Sequence, residues 1–285
     1  MTPLFTILLP AYKRRYLQAC IESVLAQTYP DFELVIVNDA SPEDIESVVR
    51  LFNDPRIRYY RNEKNTGAKE LVRQWNYCLS LAKGDYVICM GDDDKLMPDC
   101  LETYRKYIVQ YPDVAVLHGQ TDIIGPDDRL LCHTTKRPEW ESAISLLYHR
   151  TFAYDHQFIG DFCYKRKQLV ENGGFYYMPY AWGSDDISAI IAAKESGIVN
   201  TPNVVFQYRD NNASITRTPH SFGKIRAVLL EAIWKNNFLK TPAKDATDEE
   251  YRKTLRRNLL WHTFKKCYNI SYNNLLFTIK SIKHV

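Results

Sequence analysis

Apolar runs alternate with helical stripes along the first 120 residues. A short apolar run at 4–9 precedes apolar positions at helical spacing from 16 to 25, and a second apolar run follows at 32–37. A strand, a helix and a strand in this order make a βαβ unit, so the pattern predicts a parallel sheet. The uninterrupted run at 34–37 is typical of a strand that is buried on both faces.

Further units continue this alternation. The predicted helices cover 43–52, 68–82 and 101–109, and the predicted strands cover 57–60, 86–90 and 114–117. After Gly119 the pattern loosens, with a helix expected at 186–196 and a strand at 204–208. From about 220 onward the segments have amphipathic helical patterns, with Thr241 and Pro242 as the expected joint between them.

The composition is that of an ordinary globular protein. Of the 285 residues, 45% are hydrophobic and 25% are charged, with a net charge of +3, which excludes a disordered chain, a collagen and a disulfide mini-protein. Neither an 18-residue apolar run nor a basic-then-apolar leader occurs, so we expect no spanning helix and no secretory signal. Seven cysteines without a CxxC pair favour reduced thiols in a cytosolic protein over a disulfide framework or a zinc site.

The C-terminal segment differs in charge from the rest of the chain. Residues 251–285 contain eight Lys or Arg and no Asp or Glu, and the other 250 residues contain 29 Lys or Arg against 34 Asp or Glu, a net charge of −5. Basic residues such as Arg256 and Lys265 alternate there with apolar ones such as Trp261 and Phe264. A basic amphipathic helix of this kind lies on an anionic membrane or packs its apolar stripe on the preceding domain, and the pattern leaves both interpretations open.

Polar residues follow three of the predicted strands. Ligands of open parallel sheets bind beyond the carboxyl ends of the strands, so these positions are the first candidates for chemistry. Asp92, Asp93 and Asp94 follow the strand at 86–90. Adjacent carboxylates at a strand end suit a hard cation such as Mg²⁺ or Mn²⁺, but an acidic turn leading into a helix explains the same residues equally well.

Two other acidic positions have a similar pair of explanations. Asp39 ends the strand at 32–37, where it could accept the imide N–H of a uracil or thymine base. Alternatively, Ser41 or Asp39 could be the N-cap of the helix that follows Pro42. Asp185 and Asp186 precede the predicted helix at 186–196. Either of them could act as a general base toward an attacking hydroxyl, and either could be a helix N-cap.

Several common nucleotide and hydrolase motifs are missing. No glycine precedes Gly67, so the first strand is not followed by GxGxxG or a Walker loop. A Rossmann dehydrogenase, a P-loop kinase and a sugar nucleotidyltransferase are therefore disfavoured. GxSxG and HExxH are also absent from the sequence, which excludes the enzymes that depend on them.

Taken in order, the polar motifs resemble those of the family 2 glycosyltransferases, inverting enzymes of the GT-A fold. The likeness runs through most of residues 4–217. Its pieces are Pro10-Ala11-Tyr12 (PxYN), 23–29 (SxLxQT), Asn38-Asp39-Ala40-Ser41 (DDxS), Asn65-Thr66-Gly67 with Trp75-Asn76 (NxG…WN), 82–86 (AKGxY), Asp92-Asp93-Asp94 (the DxD region), 182–186 (WGxED) and Tyr208-Arg209 with Ser214 and Thr216 (YRxHxxSxT). Each piece is weak alone, whereas their joint order and spacing are specific.

The resemblance implies an α/β fold of the GT-A type, with a Rossmann-like, mixed but mainly parallel sheet flanked by helices. It implies a catalytic domain at 1–218, in which 1–118 binds the nucleotide sugar and 119–218 binds the acceptor. The residues expected at the nucleotide sugar are Pro10, Ala11, Tyr12, Asp39, Lys64, Asn65, Gly67, Asn76, Asp92 and Asp93. Asp93 and Asp94 would hold Mn²⁺ or Mg²⁺, and Asp186 or its neighbour Asp185 would deprotonate the acceptor hydroxyl.

The sequence departs from the family pattern in three places. Gly91 replaces the first Asp of LDxDD, Asp185 replaces the Glu of WGxED, and Asn211 replaces the closing His. The second departure leaves open which of Asp185 and Asp186 is the base. No QxxRW motif occurs, which argues against a processive synthase and favours transfer of one sugar per encounter.

These observations predict a metal-dependent inverting glycosyltransferase of cell-surface polysaccharide synthesis. The expected donor is a nucleoside-diphosphate sugar, most simply a UDP-sugar, and the expected acceptor is a glycan or a lipid-linked glycan. The protein is expected in the cytoplasm, with residues 251–285 of the basic helical region at 219–285 as the candidate contact with the inner face of an anionic membrane. One alternative is a catalytically silent nucleotide-sugar binding module. A nucleic-acid binder is disfavoured, because the body is acidic and carries no recognition motif.

Overall fold

The computed structural model describes residues 3–154, 156–211 and 221–282, with side chains described up to 272. The strands are β1 (Phe5–Ala11), β2 (Phe32–Asn38), β3 (Ile57–Arg61), β4 (Tyr86–Cys89), β5 (Lys95–Leu96), β6 (Val116–Ile124), β7 (Leu130–His133), β8 (Trp140–Glu141), β9 (Phe162–Lys165) and β10 (Ile198–Arg209). The helices are α1 (Leu17–Leu25), α2 (Ile45–Val49), α3 (Leu71–Leu81), α4 (Cys100–Gln110), α5 (Ala143–Phe152), α6 (Arg166–Glu171), α7 (Ser184–Ala192), α8 (Ser221–Phe238) and α9 (Ala246–Ile282). Short 3₁₀ turns lie at Ala68–Glu70, Ile159–Asp161 and Pro179–Ala181.

A single mixed sheet organises the described residues. Its order is β3-β2-β1-β4-β9-β6-β10-β5, with β7 beside β6 and β8 beside β10. The first four strands are parallel, as the βαβ pattern predicts, and β6 pairs with β10 in parallel. Strand β9 is antiparallel to both β4 and β6 and joins the two parallel groups.

Both faces of the sheet are buried, which explains the uninterrupted apolar runs. One face packs Ile7, Leu9, Leu34 and Ile36 against α1, α2 and α4. The other face packs Leu8, Val35 and Val37, the intervening residues, against α3, α5 and α7. Successive side chains of a strand point to opposite faces, so a sheet that is covered twice needs apolar residues at every position.

The second half departs from the sequence prediction. Strand β6 extends well beyond the predicted 114–117, and α5, β9 and α6 were not predicted. The physical reason lies in buried polar side chains: His118, Gln120 and Thr121 of β6 are all buried and interrupt the apolar signal that marks a strand.

Helix α9 packs on the sheet domain through α5, and α8 packs on α9 and on the 3₁₀ turn at Pro179–Ala181. The rings of Tyr148 and Tyr251 stack with centroids 4.0 Å apart, the Ser142 hydroxyl donates to Asp248 at 2.5 Å, and Leu255 is buried. Residues 241 and 242 lie between the two helices, where the sequence predicts a joint. The division into 1–218 and 219–285 stays a prediction. Among the described helices none is both long and apolar enough to cross a membrane.

Candidate active site

The carboxyl ends of β1, β2 and β4 meet at one edge of the sheet. Ala11 of β1 lies opposite Asn38 of β2, and the backbone N–H of Asp39 donates to the carbonyl of Ala11 at 2.9 Å. The Ser41 hydroxyl donates to the carbonyl of Tyr12 at 2.5 Å. Parallel pairing therefore brings the segments that follow β1 and β2 together, as the sequence predicts.

Asp92 is bound to the end of β1. Its Oδ2 accepts the backbone N–H groups of Tyr12 and Lys13, each at 2.6 Å. Burial, followed by repulsion from Asp93, raises the pKa of the Asp92 carboxyl to about 6, although both N–H groups work to lower it. Asp92 thus fixes the backbone around Tyr12, whose side chain is 43% exposed.

Asp93 and Asp94 point to two different sets of partners. Oδ2 of Asp93 accepts from the Asn211 amide at 2.8 Å and lies 3.4 Å from Nζ of Lys13. Oδ1 of Asp94 accepts the backbone N–H of Arg209 at 2.9 Å. Burial and the charge of Asp93 raise the pKa of Asp94 well above its usual value.

Gly91, which has no side chain, leaves room for Oδ1 of Asp93 and Oδ2 of Asp94. A Cβ at Gly91 would lie 2.8 Å from Oδ2 of Asp94 and 3.0 Å from Oδ1 of Asp93, so a side chain there would require these carboxylates to shift. The glycine that replaces the first Asp of the family motif therefore leaves space beside one oxygen of each carboxylate.

These two oxygens fit a hard divalent cation. Mg²⁺ and Mn²⁺ prefer carboxylate oxygens, and Mg²⁺ is usually held by one or two carboxylates while substrate phosphates and water complete the shell. The described residues contain no group of three or more His, Cys, Asp or Glu side chains that could hold a metal. Two carboxylate oxygens leave the rest of such a cation's shell to phosphate and water.

Arg209 and Lys13 are residues of this site to which the sequence analysis assigned no role. Arg209 is almost fully buried; its Nε donates to the Asp93 carbonyl at 2.8 Å and its Nη1 to the Gly125 carbonyl at 3.0 Å. Lys13 stands where the PxYN motif has Asn, a further departure from the family pattern that could have indicated its role. Arg209 is buried against the acidic turn, whereas the Lys13 side chain is 34% exposed.

Asp39 binds the loop that follows β3. Its Oδ1 accepts from the Asn62 amide and the Thr66 hydroxyl, both at 2.7 Å, and its Oδ2 accepts from the Asn65 amide at 3.1 Å. The N-cap alternative is wrong for Asp39, because helix α2 is capped by Asp44, whose side chain accepts from the N–H of Ser47. Lys64 and Gly67 lie in the same loop, and the conformation of Gly67, with φ of 80°, favours glycine.

Asn76 has a different use from the one expected for it. Its amide donates to the Phe175 carbonyl at 2.9 Å and accepts the Phe175 N–H at 2.8 Å. Two reciprocal bonds to one backbone residue tie α3 to the turn at Gly174, where a Cβ would lie 2.4 Å from the Asn76 Oδ1. The Asn76 amide is thus committed to the fold and is not aimed at a ligand.

Asp185 and Asp186 lie in the first turn of α7. The N-cap position is Gly183, in the left-handed conformation with φ of 83°, so the N-cap alternative is wrong for both carboxylates. Asp186 accepts from Arg150 in a two-pronged ion pair, at 2.8 Å from Nε and 3.1 Å from Nη2, and from the Gln157 amide at 2.6 Å. Arg150 and Gln157 carried no sequence signal.

The two neighbouring carboxylates have opposite pKa shifts. Burial and the repulsion of Asp186 raise the pKa of Asp185 to about 8. Burial also works to raise the pKa of Asp186, but the charge and hydrogen bonds of Arg150 outweigh it and lower the pKa to about 2. Arg150 therefore favours the ionised form of Asp186, whereas burial and the charge of Asp186 disfavour ionisation of Asp185.

Contacts between loops connect the two halves of the site. The Tyr177 hydroxyl donates to Glu70 at 2.9 Å, and the Arg73 guanidinium lies 5.8 Å from the centre of the Tyr177 ring. Glu70 follows the loop that Asp39 holds, and Tyr177 precedes the α7 start. Ser214 and Thr216 of the closing motif lie outside the described residues.

Comparisons with known proteins agree with these motifs. The model of the family described as Glycosyl transferase family 2 matches residues 6–174. The chondroitin synthase of Pasteurella multocida (strain Pm70) is 33% identical over 141 residues, which make up 48% of this chain and 14% of that protein. The chain spans less than half the length of the first curated relatives it matches.

Solved structures share the fold at low sequence identity. S. aureus TarS 1–349 in complex with UDP-GlcNAc aligns with a TM-score of 0.68 and 17% identity, covering 89% of this chain and 72% of TarS. The mannosyltransferase PcManGT from Pyrobaculum calidifontis, in complex with GDP-Man and Mn²⁺, aligns with a TM-score of 0.59 and 18% identity, covering 96% and 74%. The expected GT-A fold is thereby confirmed.

Proposed function

The chain belongs to glycosyl transferase family 2, and we propose that it transfers one sugar from a nucleoside-diphosphate sugar, a UDP-sugar in the first instance, to a glycan hydroxyl. The observation that supports this most directly is the acidic turn at 92–94. Asp92 binds the end of β1, and an oxygen of Asp93 and one of Asp94 lie beside Gly91. Carboxylate oxygens at the end of a parallel strand suit a divalent cation that also binds a diphosphate.

The donor would lie along the edge formed by β1, β2 and β4. Pro10, Ala11 and Tyr12 would contact the nucleoside. Asp39 would accept the imide N–H of uracil, and this hydrogen bond would replace the one that Asn65 or Thr66 donates to Asp39. Lys64, Asn65 and Gly67 would border the base or the ribose. We leave Asn76 out of the donor contacts, because its amide is committed to Phe175.

The leaving diphosphate would be stabilised at the acidic turn. Asp93 and Asp94 would hold Mn²⁺ or Mg²⁺, which when bound offsets the negative charge that grows on the diphosphate. Lys13 adds a protein cation next to Asp93. On the acceptor side Asp185 or Asp186 would take the proton of the attacking hydroxyl, and a single displacement would invert the anomeric carbon.

The comparisons support this class of donor without naming the sugar. TarS was solved with UDP-GlcNAc and PcManGT with GDP-Man and Mn²⁺. One relative is named for the synthesis of a polysaccharide, chondroitin. This supports a glycan or lipid-linked glycan acceptor in cell-surface polysaccharide synthesis. The identity of the donor's nucleobase and of its sugar needs a direct test.

The test is nucleotide release from a panel of UDP-, GDP-, dTDP- and CMP-sugars with Mn²⁺. Turnover of one donor that stops with EDTA and in Asp93→Asn would support the proposal. Asp85→Asn, an exposed aspartate before β4, is the matched control and should keep full turnover. Calorimetry with UDP and Mn²⁺ separates the alternatives. If UDP binds but no donor is turned over, with or without an added glycan, the protein is a silent binding module. If UDP does not bind, the nucleotide-sugar proposal is overturned.

We also propose that α9 contacts an anionic membrane surface through its outer face. Trp261, Phe264, Tyr268 and Tyr272 form an aromatic stripe, each at least 49% exposed, with successive ring centroids 6.1 to 6.5 Å apart. Arg257 and Lys265 fall on the same side of the helix by their spacing. Aromatic rings beside basic residues are typical of interfacial helices, and each basic residue contributes about 1 kcal/mol near an anionic surface.

The charge of this face favours lipid over a second copy of the chain. Residues 251–285 contain no acidic residue, so two such faces would oppose like charges. In a flotation assay, phosphatidylglycerol vesicles should carry the protein to the top of the gradient, and phosphatidylcholine vesicles should carry less of it. A triple variant, Trp261→Ser, Phe264→Ser, Tyr268→Ser, should no longer float with the phosphatidylglycerol vesicles. A Leu51→Ser, Val109→Ser variant, altered at two other exposed apolar positions, is the control. Absence of flotation from anionic vesicles contradicts this part of the proposal.

A further inference from the structure

Resting on the proposed function, we infer that Lys13 makes cation binding at the acidic turn conditional on a nucleoside diphosphate. Lys13 pairs with Asp93 in the free protein, where it opposes a divalent cation, and it turns to the diphosphate when metal and nucleotide bind together. The PxYN motif has an uncharged Asn at this position, so the positive charge is a departure from the family pattern.

The first step of the argument is the placement of Lys13. Its backbone N–H and that of Tyr12 both donate to Oδ2 of Asp92 at 2.6 Å. The Ser41 hydroxyl donates to the Tyr12 carbonyl at 2.5 Å. These bonds fix the backbone at residues 12 and 13 against the acidic turn, and from there Nζ of Lys13 lies 3.4 Å from Oδ2 of Asp93.

The second step is the ease with which this ion pair opens. The side chains of Lys13 and Asp93 are 34% and 15% exposed, and ion pairs open to water contribute little to stability. When Lys13 leaves, Oδ2 of Asp93 keeps the hydrogen bond from the Asn211 amide at 2.8 Å. Because a lysine has a flexible stem and three donors, its ammonium can pair with another anion within reach while the backbone stays in place.

The third step is the contrast with Arg209, a second cation at the turn. Its Nε donates to the Asp93 carbonyl at 2.8 Å and its Nη1 to the Gly125 carbonyl at 3.0 Å, and its Nη2 pairs with Asp128. The Arg209 side chain is almost fully buried. Arg209 is thus committed to the fold, whereas Lys13 contacts a carboxylate that would hold the metal.

The fourth step is the balance of charge. A divalent cation held by Asp93 and Asp94 would place like charges beside Lys13, and such repulsion is strong at short range. A diphosphate brings negative charge that attracts both the cation and Lys13. Lys13 therefore opposes the cation alone and favours the cation together with the diphosphate. Cation and nucleotide raise each other's affinity by the same factor, and Lys13 increases that factor.

The direct test is Mn²⁺ binding to the full chain without nucleotide, measured from the electron paramagnetic resonance signal of free Mn²⁺. Lys13→Gln should bind Mn²⁺ about fivefold more tightly than the wild-type chain, because a competing cation is gone. Lys13→Arg keeps the charge and should stay close to the wild-type chain. Damage to the fold does not produce tighter metal binding. Equal or weaker Mn²⁺ binding by Lys13→Gln overturns the inference.

A second test is calorimetry with UDP and with uridine. Lys13→Gln should lose UDP affinity about tenfold with Mn²⁺ present and about twofold with EDTA, because Mn²⁺ has already displaced Lys13 from Asp93 in the wild-type chain. Uridine has no phosphate, so its Kd should be the same for both chains. An equal loss of UDP affinity under the two conditions, or the same loss with uridine, contradicts the coupling.

Arg15→Gln is the matched control, because it removes the same charge two residues away. Arg15 is exposed, and its guanidinium lies 4.9 Å from the centre of the Tyr16 ring. The variant should leave the Mn²⁺ and UDP affinities unchanged, and effects as large as those of Lys13→Gln would show that net charge alone is responsible. Absence of UDP binding by the wild-type chain would contradict the proposed function, while the Mn²⁺ titration without nucleotide would still decide the inference.

Discussion

The backbone N–H of Arg209 donates to the carboxylate of Asp94 at 2.9 Å, although 115 residues separate them in sequence. The Arg209 side chain extends the contact, since its Nη2 pairs with Asp128 and its guanidinium lies 4.2 Å from the centre of the Tyr16 ring. Strand β10, which ends at Arg209, thus holds the acidic turn that follows β4. Each carboxylate of this turn has a partner from another part of the chain.

Arg209→Met should destabilise the protein by about 3 kcal/mol, because it leaves the carbonyls of Asp93 and Gly125 without their donors and removes the ion pair with Asp128. The measurement is the free energy of unfolding in urea. Arg50→Met removes an exposed ion pair with Glu46 and should change this free energy by less than about 0.5 kcal/mol. Equal effects of the two variants would contradict the role of Arg209.

Lys13→Gln should weaken UDP binding about tenfold, corresponding to about 1.4 kcal/mol, because it removes a cation beside Asp93. Calorimetry with and without Mn²⁺ measures the effect. The loss should be larger at low salt, where a partly exposed charge is less screened. Lys106→Gln, on α4, is the control and should leave the Kd unchanged. An unchanged Kd for Lys13→Gln would show that Lys13 only pairs with Asp93.

Asn76→Ala should lower stability by about 2 kcal/mol and leave UDP affinity unchanged, because its amide makes two hydrogen bonds to Phe175. Urea denaturation and calorimetry on the same sample measure both quantities. Asn53→Ala, at an exposed position, should alter neither. If the variant loses UDP affinity while its stability is unchanged, Asn76 contacts the donor after all.

Glu33→Gln should remove an acid-sensitive part of the stability. Burial works to raise the pKa of Glu33, but bonds from Thr6, Arg58 and the backbone N–H of Lys83 lower it below 4.5. A depressed folded pKa stabilises the fold above the unfolded value and the gain is lost as pH falls through the folded value. Thermal melts below pH 5 should therefore fall more steeply for the wild-type chain than for the variant. Parallel slopes would contradict this.

The sequence predicted those features that depend on local pattern and on parallel pairing. The apolar runs located β1, β2 and β4, because a sheet that is covered on both faces needs uninterrupted apolar strands. Once the strands were known, the meeting of Asp39 and Asp92 at one edge followed from the geometry of parallel sheets. The motifs around these residues were enough to indicate the family.

Tertiary structure decided the partners of the polar residues. The sequence could not distinguish Asp185 from Asp186, because the difference arises from Arg150 and Gln157, which lie on other elements and have no periodic signal. Nor could it show that the Asn76 amide binds Phe175, or that Arg209 holds the acidic turn. A buried charge or amide takes its pKa and orientation from whichever groups the fold brings within hydrogen-bond distance, and those groups are set by the packing of distant segments rather than by neighbours in sequence.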